Sequence, residues 1–331
     1  MKNRKLMNLL YLLIVSSMIF FNVGCSEDET TTPPVVVNES EELVKYLEGT
    51  DGGYINNAVP AVISASAVYT DILAGANIAI IDVRSATDFA VGHIQGAVNV
   101  ATADIVTYYK NNNLSTKTKV IVTCYTGQSA GLAVAALRLS GYSNVFSLKW
   151  GMCSWAYPSS WNSAKLYGQT TPITKEMTSN AKNTAGSLPT LSTGKTTGAE
   201  IFESRLATVL TEGFSVIGIT RETIYANLSN YYIVNYWPVA QYDQGHIEGA
   251  IQYEPKNDLK LATFIKTLPT NKTIVVYCYT GQTSAQVATY LRLLGYDAKS
   301  LQFGANRLFY DTVPASKWDE ATEFMNYPVV Q

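Results

Sequence analysis

A doubly wound α/β architecture, written twice in tandem, is what this 331-residue sequence predicts, and three observations carry the expectation. The first is repetition. Gly92-His93-Ile94-Gln95-Gly96-Ala97 returns 153 residues later as Gly245-His246-Ile247-Glu248-Gly249-Ala250. Cys124-Tyr125-Thr126-Gly127-Gln128-Ser129 returns after 154 residues as Cys278-Tyr279-Thr280-Gly281-Gln282-Thr283, and Gly141-Tyr142 after the same interval as Gly295-Tyr296. Landmarks in one order at one offset mark an internal duplication. The second observation is alternation, in each copy, of short apolar runs with helix-period segments. The third is composition: at 47% hydrophobic residues the chain can fill ordinary cores, so disorder is excluded for most of it.

Taken in order, the chain opens with Lys2, Arg4 and Lys5 before an apolar stretch from Leu6 to Phe21. That stretch is short for a membrane span, which takes about 20 apolar residues, and has a signal peptide's layout. Ending in Gly24-Cys25, it resembles a bacterial lipoprotein signal over residues 1–24, with Cys25 as the lipidated residue. Residues 25–38, acidic and then rich in Thr and Pro, read as a flexible tether. The resemblance implies an extracytoplasmic protein anchored by lipid to a bacterial membrane, at the outer membrane or cell surface.

The first copy is expected over residues 39–156. Ile78 to Ile81, Val120 to Thr123 and Val145 to Leu148 read as buried parallel strands, matched in the second copy by Tyr232 to Val234, Ile274 to Tyr277 and Ser300 to Phe303. Leu132, Ala135, Ala136 and Leu139, then Val287, Tyr290, Leu291 and Leu294, hold the i, i+3, i+4, i+7 spacing of a helix face packed on a sheet. Gly141 and Gly295 follow as helix stops. Residues 157–198, rich in Ser, Thr, Asn and Gly, read as a linker with some local structure, and the second copy is expected over 199–331.

Chemistry concentrates after the strands that end at Cys124 and Cys278. Each cysteine precedes a helix by a few residues that include a glycine, placing the sulfur at the carboxyl end of a parallel strand. Backbone N–H groups curling around the sulfur, with a helix amino end behind them, are expected to lower the thiol pKa and to hold an anion. Gly127 and Gly281 permit the tight path, and Ser129, Thr283 and Ser284 can add hydroxyl donors.

Asp82-Val83-Arg84, then Gly-His-Ile-x-Gly-Ala, then a strand ending in Cys-Tyr-Thr-Gly-Gln-Ser, then Gly141-Tyr142 and Leu148-Lys149-Trp150-Gly151-Met152, together resemble a rhodanese domain, over about residues 60–156 and 214–310. The resemblance implies two tandem domains, each a doubly wound parallel sheet of about five strands flanked by helices. It implies a sulfurtransferase that moves a sulfane sulfur from a small donor such as thiosulfate to a thiol, cyanide or other nucleophile through a cysteine persulfide. On that resemblance Cys124 and Cys278 are the nucleophiles. Tyr125, Thr126, Gly127, Gln128, Ser129 and Ala130 form one anion cradle; Tyr279, Thr280, Gly281, Gln282, Thr283 and Ser284 form the other. A non-catalytic sulfur-binding or scaffold lipoprotein is the alternative.

Other classes lose their essential groups. Lys plus Arg number 24 against 26 Asp plus Glu, a net charge of −2, which leaves no basic footprint for nucleic acid. A phosphatase loop needs an arginine six residues after its cysteine to clamp phosphate; Ala130 and Ser284 stand there instead. No metal, nucleotide or organic cofactor is implied. His93 and His246, the two histidines, are expected to support the fold rather than act as bases. Arg84 and Asp88 can pair across four residues at a strand–helix junction. The second copy has Asn235, Trp237 and Gln241 where the first has Asp82, Arg84 and Asp88, which predicts a looser wall beside its loop and slower turnover there. Cys153, matched by Asn306, is a possible resolving thiol, with a packed small residue as the plainer reading.

Overall fold

The computed structural model describes residues 37–331, so the expectations for the signal segment, for Cys25 and for the tether up to residue 36 lie outside the described residues. The first copy runs through α1 (Glu39–Glu48), α2 (Gly53–Asn57), β1 (Val62–Ile63), α3 (Ala65–Leu73), β2 (Ile78–Asp82), α4 (Ala86–Val91) and β3 (Ala97–Asn99). It continues through α5 (Ile105–Asn111), β4 (Lys119–Thr123), α6 (Gln128–Leu139), β5 (Val145–Leu148) and α7 (Met152–Trp155). After α8 (Ser159–Thr170) the second copy comprises α9 (Gly198–Ile217), β6 (Gly218–Ile219), α10 (Arg221–Ala226), β7 (Tyr231–Asn235), α11 (Val239–Tyr242) and β8 (Ile251–Gln252). It closes with β9 (Thr273–Tyr277), α12 (Gln282–Leu293), β10 (Ala298–Leu301) and α13 (Glu320–Glu323).

Two five-stranded sheets result, ordered β1-β5-β4-β2-β3 and β6-β10-β9-β7-β8. Their strand pairings are all parallel, as the expected architecture requires. The order puts β4 and β9, the strands that end at the cysteines, in the middle of each sheet, where neighbours on both sides hold their carboxyl ends. Helix starts are locally encoded: Ser64 accepts from Ala67 N–H, Ser85 from Asp88 N–H and Thr197 from Glu200 N–H. The strand expected at Ser300 to Phe303 instead covers Ala298–Leu301, because Phe303 turns into the left-handed region at φ 62°.

Two departures from the sequence reading matter for function. Helices α6 and α12 are not one-faced: ten of the twelve residues of each are buried. One side covers its own sheet and the other meets its counterpart, so the two helices cross at the centre of the molecule. The crossing is close, since a Cβ on Gly131 would lie only 2.9 Å from the Gln282 carbonyl oxygen and 3.1 Å from Ala285 Cβ. One hydrophobic core therefore runs from Leu43 and Val122 of the first copy to Leu206, Val276 and Leu291 of the second.

The second departure is the expected linker. It contains α8, and beyond it residues 173–186 lie on the second copy, where Glu176 and His246 exchange backbone hydrogen bonds at 2.9 and 3.0 Å and Gly186 N–H donates to Lys266 at 2.8 Å, before Thr193 and Gly194 N–H donate to the Glu39 carboxylate of α1 at 2.7 and 2.9 Å. The C-terminal tail does the converse. Val330 and His93 exchange hydrogen bonds at 2.9 Å, while Met325 and Tyr327 donate to Ser154 and Trp155 at 2.8 Å. Each copy's trailing segment is thus fastened to the other copy, at the same histidine of the repeat. A polar segment that binds neighbouring backbone this way satisfies its own N–H and C=O groups and needs no apolar period of its own.

Candidate active site

Each cysteine stands in the turn between the central strand and a helix that begins without a side-chain cap. The first-turn N–H groups that a cap would satisfy point at sulfur instead. In the first loop Gly127 N–H donates to Cys124 Sγ at 3.1 Å and Ala130 N–H at 3.3 Å. In the second, Gly281 N–H lies 3.2 Å and Ser284 N–H 3.4 Å from Cys278 Sγ. Gly127 and Gly281 adopt φ of 81° and 77°, the left-handed geometry that aims these donors inward.

Both loops lean on a second glycine. Gly151 (φ 61°) and Gly304 (φ 51°) press against the cysteine carbonyl, and a Cβ on either would overlap it. Behind them, Met152 and Ala305 N–H donate to the carbonyls of Cys124 and Cys278 at 2.8 and 3.0 Å. Ser147 and Ser300, fully buried, donate to the carbonyls of Gly127 and Gly281 at 3.2 and 3.3 Å. A polar residue inside an apolar strand, in both copies, was the available signal for this support.

The loops differ at the sulfur. The Ser284 hydroxyl lies 3.6 Å from Cys278 Sγ and the Thr280 hydroxyl 3.9 Å, and Ser284 Oγ is 2.8 Å from Ser300 Oγ. A chain of hydroxyls thus runs from the thiol through Ser284 and Ser300 to the Gly281 carbonyl. The first loop has Ala130 in place of Ser284 and no such chain. Cys124 is only 3% exposed, and burial pushes its thiol pKa up while the N–H groups of Ala130, Thr126, Gly127 and Ser129 pull against that shift. This corrects the expectation of a lowered pKa for Cys124: the donors are present, but desolvation outweighs them. Ser129 and Thr283 occupy the first helical turns, partly exposed, and Tyr125 stands exposed at the rim of the first loop.

The walls differ as well. The expected Arg84–Asp88 pair does not form. Arg84 binds Asp82, with Nη2 2.6 Å from Oδ2 and Nε 3.0 Å from both carboxylate oxygens, and donates to the Gly92 carbonyl at 2.8 Å. Both side chains are buried, so this is an interior ion pair and not a surface one. Asp88 accepts from Ser85 Oγ at 2.6 Å and from the Tyr125 hydroxyl at 3.0 Å, and these hydroxyls hold its carboxyl below the usual range. The Arg84 guanidinium lies 5.2 Å from the Tyr125 ring centre.

In the second copy Trp237 stacks on Tyr279 at 4.9 Å, and Asn235 donates to the Tyr277 hydroxyl at 2.6 Å. Gln241 accepts from the Tyr279 hydroxyl. The wall expected to loosen is refilled by aromatic rings.

His93 and His246 stay away from sulfur. Their Nδ1 atoms lie 3.0 and 3.1 Å from the carbonyls of Phe89 and Tyr242, and each ring stacks on that same aromatic at 3.7 Å. Cys153 is buried among Trp150, Trp161 and Trp318 behind the first loop. Burial pushes its thiol up to about 12, with the nearby Cys124 adding to the shift, so it stands as a packed neutral thiol.

Gln128 and Gln282, expected in the anion cradles, turn away from their own sulfurs. Gln282 Nε2 donates across to the Thr126 carbonyl at 3.2 Å, and Gln128 Oε1 accepts from Phe303 N–H at 2.8 Å. No linear motif reports such a crossing.

A sequence model of the rhodanese-like domain matches residues 65–157 and 222–307, more than half of the chain. The thiosulfate sulfurtransferase GlpE of Pseudomonas entomophila is 35% identical over 81 residues, 24% of this chain and 72% of the relative. Its namesake from Pseudomonas fluorescens is 37% identical over 81 residues with the same coverage. Among solved structures, a thiosulfate sulfurtransferase from Pseudomonas aeruginosa aligns over 89% of this chain and 50% of that chain, at 18% identity and TM-score 0.30. A rhodanese-related protein from Thermoplasma volcanium aligns over 30% of this chain and 92% of that one, at 23% identity and TM-score 0.26. With two matched domains, two parallel sheets and a cysteine turn at the centre of each, the chain belongs to the rhodanese-like domain family.

Proposed function

We propose that the protein is a sulfurtransferase with two persulfide-forming loops, at Cys124 and Cys278, acting on thiosulfate or a similar sulfane donor. The observation that carries this reading is the pair of inward N–H groups at each sulfur. They stabilise negative charge on a thiolate and on the persulfide that follows it. The cysteine thiolate attacks the outer sulfur of thiosulfate; the S–S bond of the donor breaks and sulfite leaves with the electron pair. The product is Cys–S–S⁻. A nucleophile such as cyanide or a thiolate then attacks the outer sulfur, and the electron pair of that S–S bond returns to the cysteine as thiolate. The negative charge on the cysteine sulfur is met by backbone donors before and after each transfer, and no histidine base takes part.

Thiocyanate formation from thiosulfate and cyanide tests this directly. The double variant Cys124→Ser/Cys278→Ser is expected to abolish it, and turnover that survives the double change overturns the reading. The near-complete burial of both cysteines, 3% and 1% exposed, favours a second reading, a sulfur-binding module without turnover. In that case the cysteines load with sulfur but form no thiocyanate. The reading includes a diacylated Cys25 that anchors the protein to a membrane, supported by the basic and then apolar run that ends at Gly24-Cys25. Metabolic palmitate labelling is expected, and labelling that persists in Cys25→Ala contradicts the anchor.

A further inference from the structure

We propose that Gln282, a residue of the second loop, is a positioning residue for Cys124 of the first, so that the Cys124 cradle is complete only when both copies are assembled. The argument starts from the planar peptide between Thr126 and Gly127. Its two polar ends point in opposite directions. The N–H end, on Gly127, donates to Cys124 Sγ at 3.1 Å. The carbonyl end, on Thr126, accepts from Gln282 Nε2 at 3.2 Å and from Trp161 Nε1 at 3.3 Å. A hand on the oxygen therefore sets the direction of the N–H that faces sulfur, and a donor at the oxygen strengthens that N–H as a donor in turn.

The fit is built into both loops. The Gln282 amide nitrogen occupies the space that a Cβ on Gly127 would take, and Gln128 Oε1 occupies the equivalent space at Gly281. Each loop's glycine is the slot for the other loop's glutamine. Both glutamines are buried, 2% and 3% exposed, so each amide must find partners inside the protein. The exchange is not symmetric. Gln282 holds the peptide whose N–H touches Cys124, whereas Gln128 holds Phe303 N–H, next to the Gly304 that abuts the Cys278 carbonyl. The lever on Cys124 is direct; the one on Cys278 works through a second glycine.

This inference rests on Cys124 as the nucleophile of the proposed function, and its test uses no sulfur donor, so the two readings fail separately. The pH profile of Cys124 alkylation by iodoacetamide is followed by peptide mass mapping in the full chain carrying Cys278→Ser, with and without Gln282→Met. Methionine keeps the length and lacks the donor. The ionisable groups near Cys124 are Cys153 on α7, held neutral, and Tyr125 at the rim with Arg84 and Asp88 beyond it. The substitution touches none of them. The expected result is a shift of the profile to higher pH and a roughly three- to tenfold slower reaction near neutrality, the worth of one hydrogen bond.

Gln282→Leu, neutral and likewise without a donor, is expected to shift it the same way and serves if the methionine variant does not fold. An unchanged Cys124 profile in both variants overturns the proposal. A wild-type chain that never loads sulfur, with the shift present, defeats the proposed function and leaves the positioning intact.

Discussion

The two cysteine loops have nearly the same backbone and different surroundings. The first sits between a buried ion pair, Asp82–Arg84, and an alanine at the sulfur; the second sits beside stacked rings, Trp237 on Tyr279, with a serine at the sulfur. In the first copy electrostatics are invested in the wall, and the sulfur has N–H donors alone. In the second the wall is aromatic, and hydroxyls stand next to the sulfur. The comparison teaches that loss of the Asp-x-Arg motif was not a loss of structure. Different side chains close the same wall, and the argument for slower turnover from a loosened second loop does not hold.

The largest expected effect separates the walls. Arg84→Met leaves the Asp82 carboxylate buried without its partner, and breaking such a pair costs about 3–5 kcal/mol. Chemical denaturation of the full chain measures it. A loss below about 1 kcal/mol would mean that packing, and not the ion pair, holds the first wall as it does the second.

Next in size is the serine at the second sulfur. Ser284→Ala gives the second loop the residue of the first and removes a hydroxyl 3.6 Å from Cys278 Sγ. This hydroxyl accepts from the neutral thiol, worth about 0.5–1.5 kcal/mol, and turns to donate to the thiolate, worth about 1.5–3 kcal/mol, so its net loss should slow alkylation of Cys278 near neutral pH roughly five- to tenfold, with Cys124 unaffected. Equal slowing at both cysteines would trace the effect to the shared core rather than to the hydroxyl.

The remaining effect is one of pH. Because burial raises the Cys124 thiol pKa, the protonated form persists into the alkaline range and the thiolate gains only as pH climbs. Sulfur loading of Cys124 in Cys278→Ser should therefore keep rising between about pH 7 and pH 9. A plateau already reached by about pH 7 would place the thiol below its ordinary value, as the loop's donors alone suggest.

Much of this was legible from residues, and the illegible part has one cause. The strands, the cysteine turns and the repeat follow from local apolar runs and glycines, which depend on neighbours along the chain. The far faces of α6 and α12 were not legible, because Gly131 meets Gln282, Ala285 and Gln286 of the other copy and not the sheet that set the reading frame. The docking of residues 171–198 and of the tail was hidden for a similar reason: their partners, backbone groups such as those of His246 and His93 and side chains such as Glu39 and Tyr69, lie far away along the chain and leave no local pattern. Gln128 and Gln282 looked like cradle residues by position and proved to be ties between loops. Ser147 and Ser300 were within reach, as a repeated polar residue in an apolar strand.

Intact-protein mass after thiosulfate treatment tests the central claim, two sulfur-accepting loops in one fold, most directly. The wild-type chain is expected to gain up to two sulfur atoms, Cys124→Ser and Cys278→Ser one each, and the double variant none, with cyanide removing what was added. Gain of sulfur by the double variant, or none by the wild type, contradicts the account.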